Sequence, residues 1–191
     1  MEEKRRLNPW IPILIIGLIA VFIWQQKENA KMQEKLVAET YQNNFNLLVS
    51  EMLNDAAVAE NMGNLIINVW NNAIWEKTDS ETDKFTMVNG KFVSDFNDAL
   101  RNLFDDEEFS KNASTLSANQ QQIKIDMKSM LTPPEGFENT FRALENMYNS
   151  YIAFTDIVLN CSGSLNSFSD EFSSADKKVL DAYNAAELYV K

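Results

Sequence analysis

The sequence predicts an all-α protein with a single N-terminal transmembrane helix followed by an elongated antiparallel four-helix bundle of up-down-up-down topology. Three observations carry this expectation. An uncharged apolar run, WIPILIIGLIAVFIW, covers Trp10–Trp24. No proline occurs between Pro12 and Pro133, and glycine stands only at Gly17, Gly63 and Gly90 over the same stretch, so long helices meet few breakers. Three turn signals then follow, at Gly90, at Pro133-Pro134-Glu135-Gly136 and at Ser162-Gly163. Three turns separate four helices.

The run comes first. A helix over Pro9–Trp24 spans roughly 24 Å at 1.5 Å per residue, against a hydrocarbon core about 30 Å thick. The span is short, yet Trp10 and Trp24 suit the two headgroup layers where amphipathic rings collect. A cleaved signal peptide is the rival reading, because Lys4, Arg5 and Arg6 form a basic leader. Cleavage needs small residues at both −3 and −1. With Ala20 at −1 the −3 residue is Leu18, and with Ala30 at −1 it is Glu28, so neither site fits. Lys4, Arg5 and Arg6 precede the run, whereas Lys27 after it is accompanied by Glu28. The positive-inside rule therefore expects residues 1–8 in the cytoplasm, 9–24 in the bilayer and 25–191 outside.

Composition narrows the chemistry of the outer part. The chain carries 17 Lys+Arg against 28 Asp+Glu, a formal net charge of −11. Such a surface repels nucleic acid and anionic headgroups, so neither is expected as a direct partner of the domain. Histidine is absent from the sequence. Ser-His-Asp and Cys-His catalysis, HExxH zinc sites and Glu-x-x-His di-iron sites all need it. No enzyme, metal or cofactor is expected. Cys161 is the one cysteine, which rules out an internal disulfide and leaves either a small half-buried residue near a turn or a link between two chains.

Helix 1 is read from near Ala30 to Glu76, with no breaker over Gln25–Asn29 to separate it from the span. Tyr41, Phe45, Leu48, Met52, Ala56, Ala59, Met62, Ile66, Trp70 and Ala73 recur at steps of three or four, which puts them on one face. Ala56, Ala59 and Gly63 make a small-residue patch on that face where another helix can come close. The polar stretch from Thr78 to Asp83 ends the helix. Asp79-x-Glu81-x-Asp83 has the opening spacing of a calcium loop, but Lys84 replaces the required glycine and Gly90 the bidentate Glu, so a solvated turn is expected.

Helix 2 is expected from about Lys91 to Leu131, with Phe92, Phe96, Ala99 and Leu103 in phase and then Ala113, Leu116, Ile123, Met127 and Met130. The alternative is a break near Ser110, or a new N-terminus capped by Asp105-Asp106-Glu107-Glu108. Helix 3 starts near Pro134 with Phe137, Phe141, Leu144, Tyr148, Tyr151 and Val158 on its face. Helix 4 follows Ser164 or Ser167, with Phe168, Phe172, Ala175, Val179, Ala182 and Ala186 inward and Ser167-x-x-Asp170 as a capping box.

An unbroken helix 2 leaves the far ends of helices 1 and 2 longer than helices 3 and 4 can cover. Ile67, Trp70, Trp75, Phe85 and Phe92 are the candidate protein interface at that tip; a broken helix 2 folds back and makes them ordinary core. The layout of one span and an external four-helix bundle is similar to the ligand-binding part of bacterial chemoreceptors, a likeness of architecture that carries no residue motif. The expected role is a membrane-tethered extracytoplasmic interaction or scaffold protein, held in the lipid bilayer by residues 9–24 and binding an envelope protein or itself. The alternative is a sensor-like module holding a small apolar or cationic ligand between helices, using Tyr148, Tyr151 and the tryptophans.

Overall fold

The computed structural model describes the backbone from Trp10 to Lys191 and the side chains from Val21 onward. The described elements, in chain order, are α1 (Trp10–Trp75), α2 (Asp83–Thr86), β1 (Met87–Val88), β2 (Lys91–Phe92), α3 (Phe96–Phe104), α4 (Glu107–Met130), α5 (Glu138–Leu159) and α6 (Leu165–Glu187). The protein is mostly helical, as the spacing of its apolar residues requires. The chain divides after Tyr41 into two units, which are taken separately.

In the first unit the helical backbone is continuous from Trp10. Every described side chain from Val21 to Thr40 is exposed except the half-buried Ala38. Glu28–Lys31 and Lys35–Glu39 pair along this surface at 3.6 Å, and such exposed pairs each contribute about 0–1 kcal/mol. Among the described residues no helix is long and apolar enough to cross a membrane. The run read as the anchor lies outside the described side chains except for Val21–Trp24, as do the Trp10 side chain and Lys4, Arg5 and Arg6.

The second unit is built on a stripe that was readable at the outset. The nine residues of the helix 1 face that fall in this unit, Phe45 through Ala73, are all buried, as is Tyr41 just before it, and so are all six of the α6 face. Their cross-contacts fix the helix directions. Gln42 reaches the backbone of Tyr189, Gly63 meets Phe172, and Trp70 packs on Phe168, so α1 and α6 run antiparallel. Asp55 bonds Asn119, while Met62 and Phe109 line one groove, which sets α4 antiparallel to α1. Gln120 bonds Thr155 and Asp156, and Phe154 packs on Phe172, so the alternation continues through α5 and α6.

Helix 2 departs from the expected single element. Asn89 and Gly90 take positive φ values of 52° and 75°, the geometry of a two-residue hairpin turn. They close a minimal antiparallel pair, Met87 opposite Phe92 and Val88 opposite Lys91. Helix therefore resumes at Phe96, not Lys91. A second interruption falls at Asp105-Asp106. Asp106 is extended, and its carboxylate accepts from the Phe109 N–H as an N-cap, with Glu107 and Glu108 in the favoured first turn. The break lies at those acids, and Ser110–Gln122 is helical throughout.

Smaller corrections follow the same logic. α5 begins at Glu138, four residues after Pro134, and its buried face includes Met147 and Phe154, while Phe137, Phe141 and Tyr148 are only half-buried. The α6 capping box is Ser164 with Ser167, each side chain accepting from the other's backbone N–H. Gly63 is no hinge. A Cβ there would run into the Phe172 ring, which is itself held by Phe154 at 5.2 Å and Phe168 at 6.0 Å.

That contact predicts an unusual sign. Gly63→Ala gains about 1 kcal/mol of helix propensity, yet overpacking against a ring with no room to move should outweigh it. We expect a net loss of about 1–3 kcal/mol in urea denaturation, partly restored by Phe172→Leu. Unchanged or higher stability for Gly63→Ala alone would show that the ring yields.

Candidate functional site

The five residues expected at the apolar tip do not share one surface. Trp70 is buried, stacked on Phe96 at 5.9 Å and tilted against Phe168 at 6.3 Å. Phe85 is buried beneath Lys84, whose Nζ lies 4.4 Å from the ring centroid. Ile67 and Phe92 are half-buried, and only Trp75, at 66 % exposure, stands open to solvent. The correction has a plain cause: the interruptions at Gly90 and Asp105-Asp106 let α2 and α3 fold over the end of α1. Trp70 and Phe85 thus offer nothing to a partner. The exposed apolar side chains at this end are Ile74, Trp75, Val88, Phe96 and Phe104.

The end of α1 is fastened by polar bonds. Glu76 takes φ +47°, and the Lys77 N–H donates back to the Asn72 carbonyl at 3.0 Å, a helix-ending loop that satisfies an orphan acceptor. Buried Asn72 donates to Thr82 Oγ1 at 2.9 Å, which ties the following turn to the helix. Within that turn the acids act on backbone. Asp83 accepts from the Asp79 N–H and Asp79 from the Glu81 N–H, at 2.8 and 2.9 Å. Among the described residues no group of His, Cys, Asp or Glu is placed to hold a metal ion.

A polar centre missed in the sequence lies midway along the bundle. Asp55 on α1 is buried, and its two carboxylate oxygens accept from Asn119 Nδ2 on α4 and from the Tyr151 hydroxyl on α5, both at 2.8 Å. Tyr151 is fully buried, and its phenol is pushed well above the usual range by burial and then by its bond to Asp55. On α5 the Thr155 hydroxyl donates to the Tyr151 carbonyl at 2.8 Å and receives Gln120 Nε2 at 2.6 Å. A sequence signal existed: Asp55 sits 18 residues, about five full turns, before Ala73 of the buried stripe.

A cleft lined by Glu51, Asn54, Asp55, Asn119, Gln122 and Ile123 opens beside this centre. Burial raises the Glu51 carboxyl, and the nearby charges of Asp126 and Asp55 add to the rise. The Tyr151 hydroxyl donates a hydrogen bond to Asp55 and is held far from ionisation near neutral pH, which suits a clamp between three helices. Cys161 is half-buried, and burial pushes its thiol up to about 11, so it rests as a neutral thiol. Compared with family models, with curated proteins and with solved structures, the chain matches none.

Two mutational contrasts follow. Trp70→Ala should cost about 3–5 kcal/mol, the range for emptying a buried aromatic site, while Trp75→Ala should stay within about 0.5 kcal/mol; comparable losses in thermal or urea melts would refute the placement. Tyr151→Phe should cost about 1.5–3 kcal/mol, the worth of a hydrogen bond to a charged group. Most of that loss should vanish in an Asp55→Asn background, as a double-mutant cycle reads it.

Proposed function

We propose that the chain is a membrane-tethered interaction protein, anchored in the lipid bilayer through residues 9–24, with its helical bundle on the extracytoplasmic side binding an envelope protein or a second copy. The observation that carries this reading is the uncharged stretch Pro9–Trp24 preceded by Lys4, Arg5 and Arg6 and followed by Lys27-Glu28. Two features support it. The helical backbone continues from Trp10 into the exposed surface beyond Trp24 without interruption. Val21, Phe22, Ile23 and Trp24, four apolar residues in a row, are all more than half exposed, which is costly in water and favourable in lipid.

The interaction role draws on the rest of the molecule. The polar centre at Asp55 is engaged in holding helices together, and the sequence lacks the histidine that the common hydrolytic and metal sites use. An acidic, mostly helical domain held near a bilayer has its surface to offer.

The test is topological. The chain is expected to stay with membranes through alkaline carbonate extraction, and its domain after Trp24 to be digested by protease added outside intact spheroplasts. Release by carbonate, protection of the domain, or a mature N-terminus beyond Trp24 would each overturn the tether.

A further inference from the structure

The part of α1 that lies before Tyr41 has its own surface pattern. Phe22, Gln25, Asn29, Met32 and Leu36 recur at alternating steps of three and four, the spacing of a coiled-coil seam. None of the five carries a charge. The charged residues of this segment, Lys27, Glu28, Lys31, Glu34, Lys35 and Glu39, all lie off that seam until Glu39 ends it. Phe22, Met32 and Leu36 are 61 %, 58 % and 48 % exposed, so this chain leaves the seam uncovered.

We propose that this segment pairs, parallel and in register, with the same segment of a second copy. The inference rests on the tethered reading for its parallel sense, since two chains anchored at the same end of α1 present the seam in the same direction. Charge selects the occupant. Two chains of net charge −11 repel over most of their surface, and an uncharged seam is where two identical acidic molecules can approach.

The flanks agree with this choice. With Phe22, Asn29 and Leu36 at the first core position of each heptad and Gln25 and Met32 at the second, Glu28 of one copy faces Gln33 of the other. Lys35 likewise faces Thr40, so no like charges are opposed before Glu39, which would face its own copy and marks where the pairing ends. Asn29 at a first-core position favours a single register, because its amide is satisfied only opposite its own counterpart. The seam is short and partly polar, which makes a weak pair in free solution. Confinement to a membrane supplies the effective concentration that it lacks.

A cysteine scan of the full chain in membranes tests the pairing. In a Cys161→Ser background, single substitutions Met32→Cys and Leu36→Cys are expected to give a strong disulfide dimer under mild oxidation. Lys27→Cys and Glu34→Cys, on the opposite side of the helix, are expected to give little. Equal yields at all four positions, no dimer at Met32 and Leu36, or a cross-linked product whose mass is not twice that of the chain would overturn the proposal. Met32→Glu with Leu36→Glu, both at exposed sites, should abolish the Met32-side cross-link formed by Asn29→Cys while leaving the circular dichroism spectrum unchanged; a persisting cross-link would also overturn it. Carbonate release with the in-phase pattern intact would sink the tether and leave the pairing standing. Membrane retention with a flat pattern would do the reverse.

Discussion

The bundle depends on how closely α1 approaches α6 at Gly63. A hydrogen in place of a side chain lets the Phe172 ring enter a space that any Cβ would fill. Phe172 in turn stacks on Phe168 and packs against Phe154, and Phe168 carries the contact on to Trp70. Trp70 then holds Phe96, the first residue of α3. One missing methyl group on α1 thus places an aromatic chain linking α1, α5, α6 and the folded-back segment. Interiors at this packing density are not continuously deformable, so the position of α3 over the end of α1 is set largely by what fits at Gly63.

The Asp55 centre works differently. Burying a carboxylate is costly, and the donors Asn119 and Tyr151 offset that cost only while α4 and α5 keep their register on α1. A one-residue slip of either helix strands the charge. Apolar stripes of Leu, Met, Phe and Ala tolerate such slips more readily, since their contacts are non-directional. The polar centre is thus best understood as a register pin. The bundle is closed at one end by a related device: Gln42 and Asn46 donate to the carbonyls of Tyr189 and Lys191, catching the last residues of the chain beyond α6.

Period and punctuation made most of this legible. Every residue read on the α1 and α6 stripes is buried, because each long helix buries one continuous face and a single face leaves a clean 3.6-residue signal; on α1 the buried set also takes in Gln42, Val49, Asp55, Val69 and Asn72. The region from Asp83 to Phe109 was misjudged because its elements are too short to show any period. Asn89-Gly90 is a strong hairpin signal, but two-residue strands give no alternation on either side to support it. Asp105-Asp106-Glu107-Glu108 held the right boundary, which propensity alone placed too late. The Asp55 centre was hidden for another reason: a lone acid within an apolar arc reads as solvated unless its partners, 64 and 96 residues away, are known.

The two units differ in what keeps them helical. From Gln42 onward α1 is stabilised by burial along one face. The segment from Val21 to Thr40 has exposed local ion pairs and propensity, and isolated helices of that length are marginal in water. From Gln25 to Glu39 most of its residues are good helix formers, with no glycine or proline, which lowers the cost of order but does not repay it. Nucleation is supplied by the continuous backbone, since each added residue extends an existing helix. What remains to be supplied is cover for Phe22, Met32 and Leu36. On the tethered reading proposed above, lipid would cover the residues nearest Trp24, and on the proposed pairing a second helix would cover Met32 and Leu36. The helicity of this segment is therefore tied to its surroundings, whereas that of the bundle is tied to its own core.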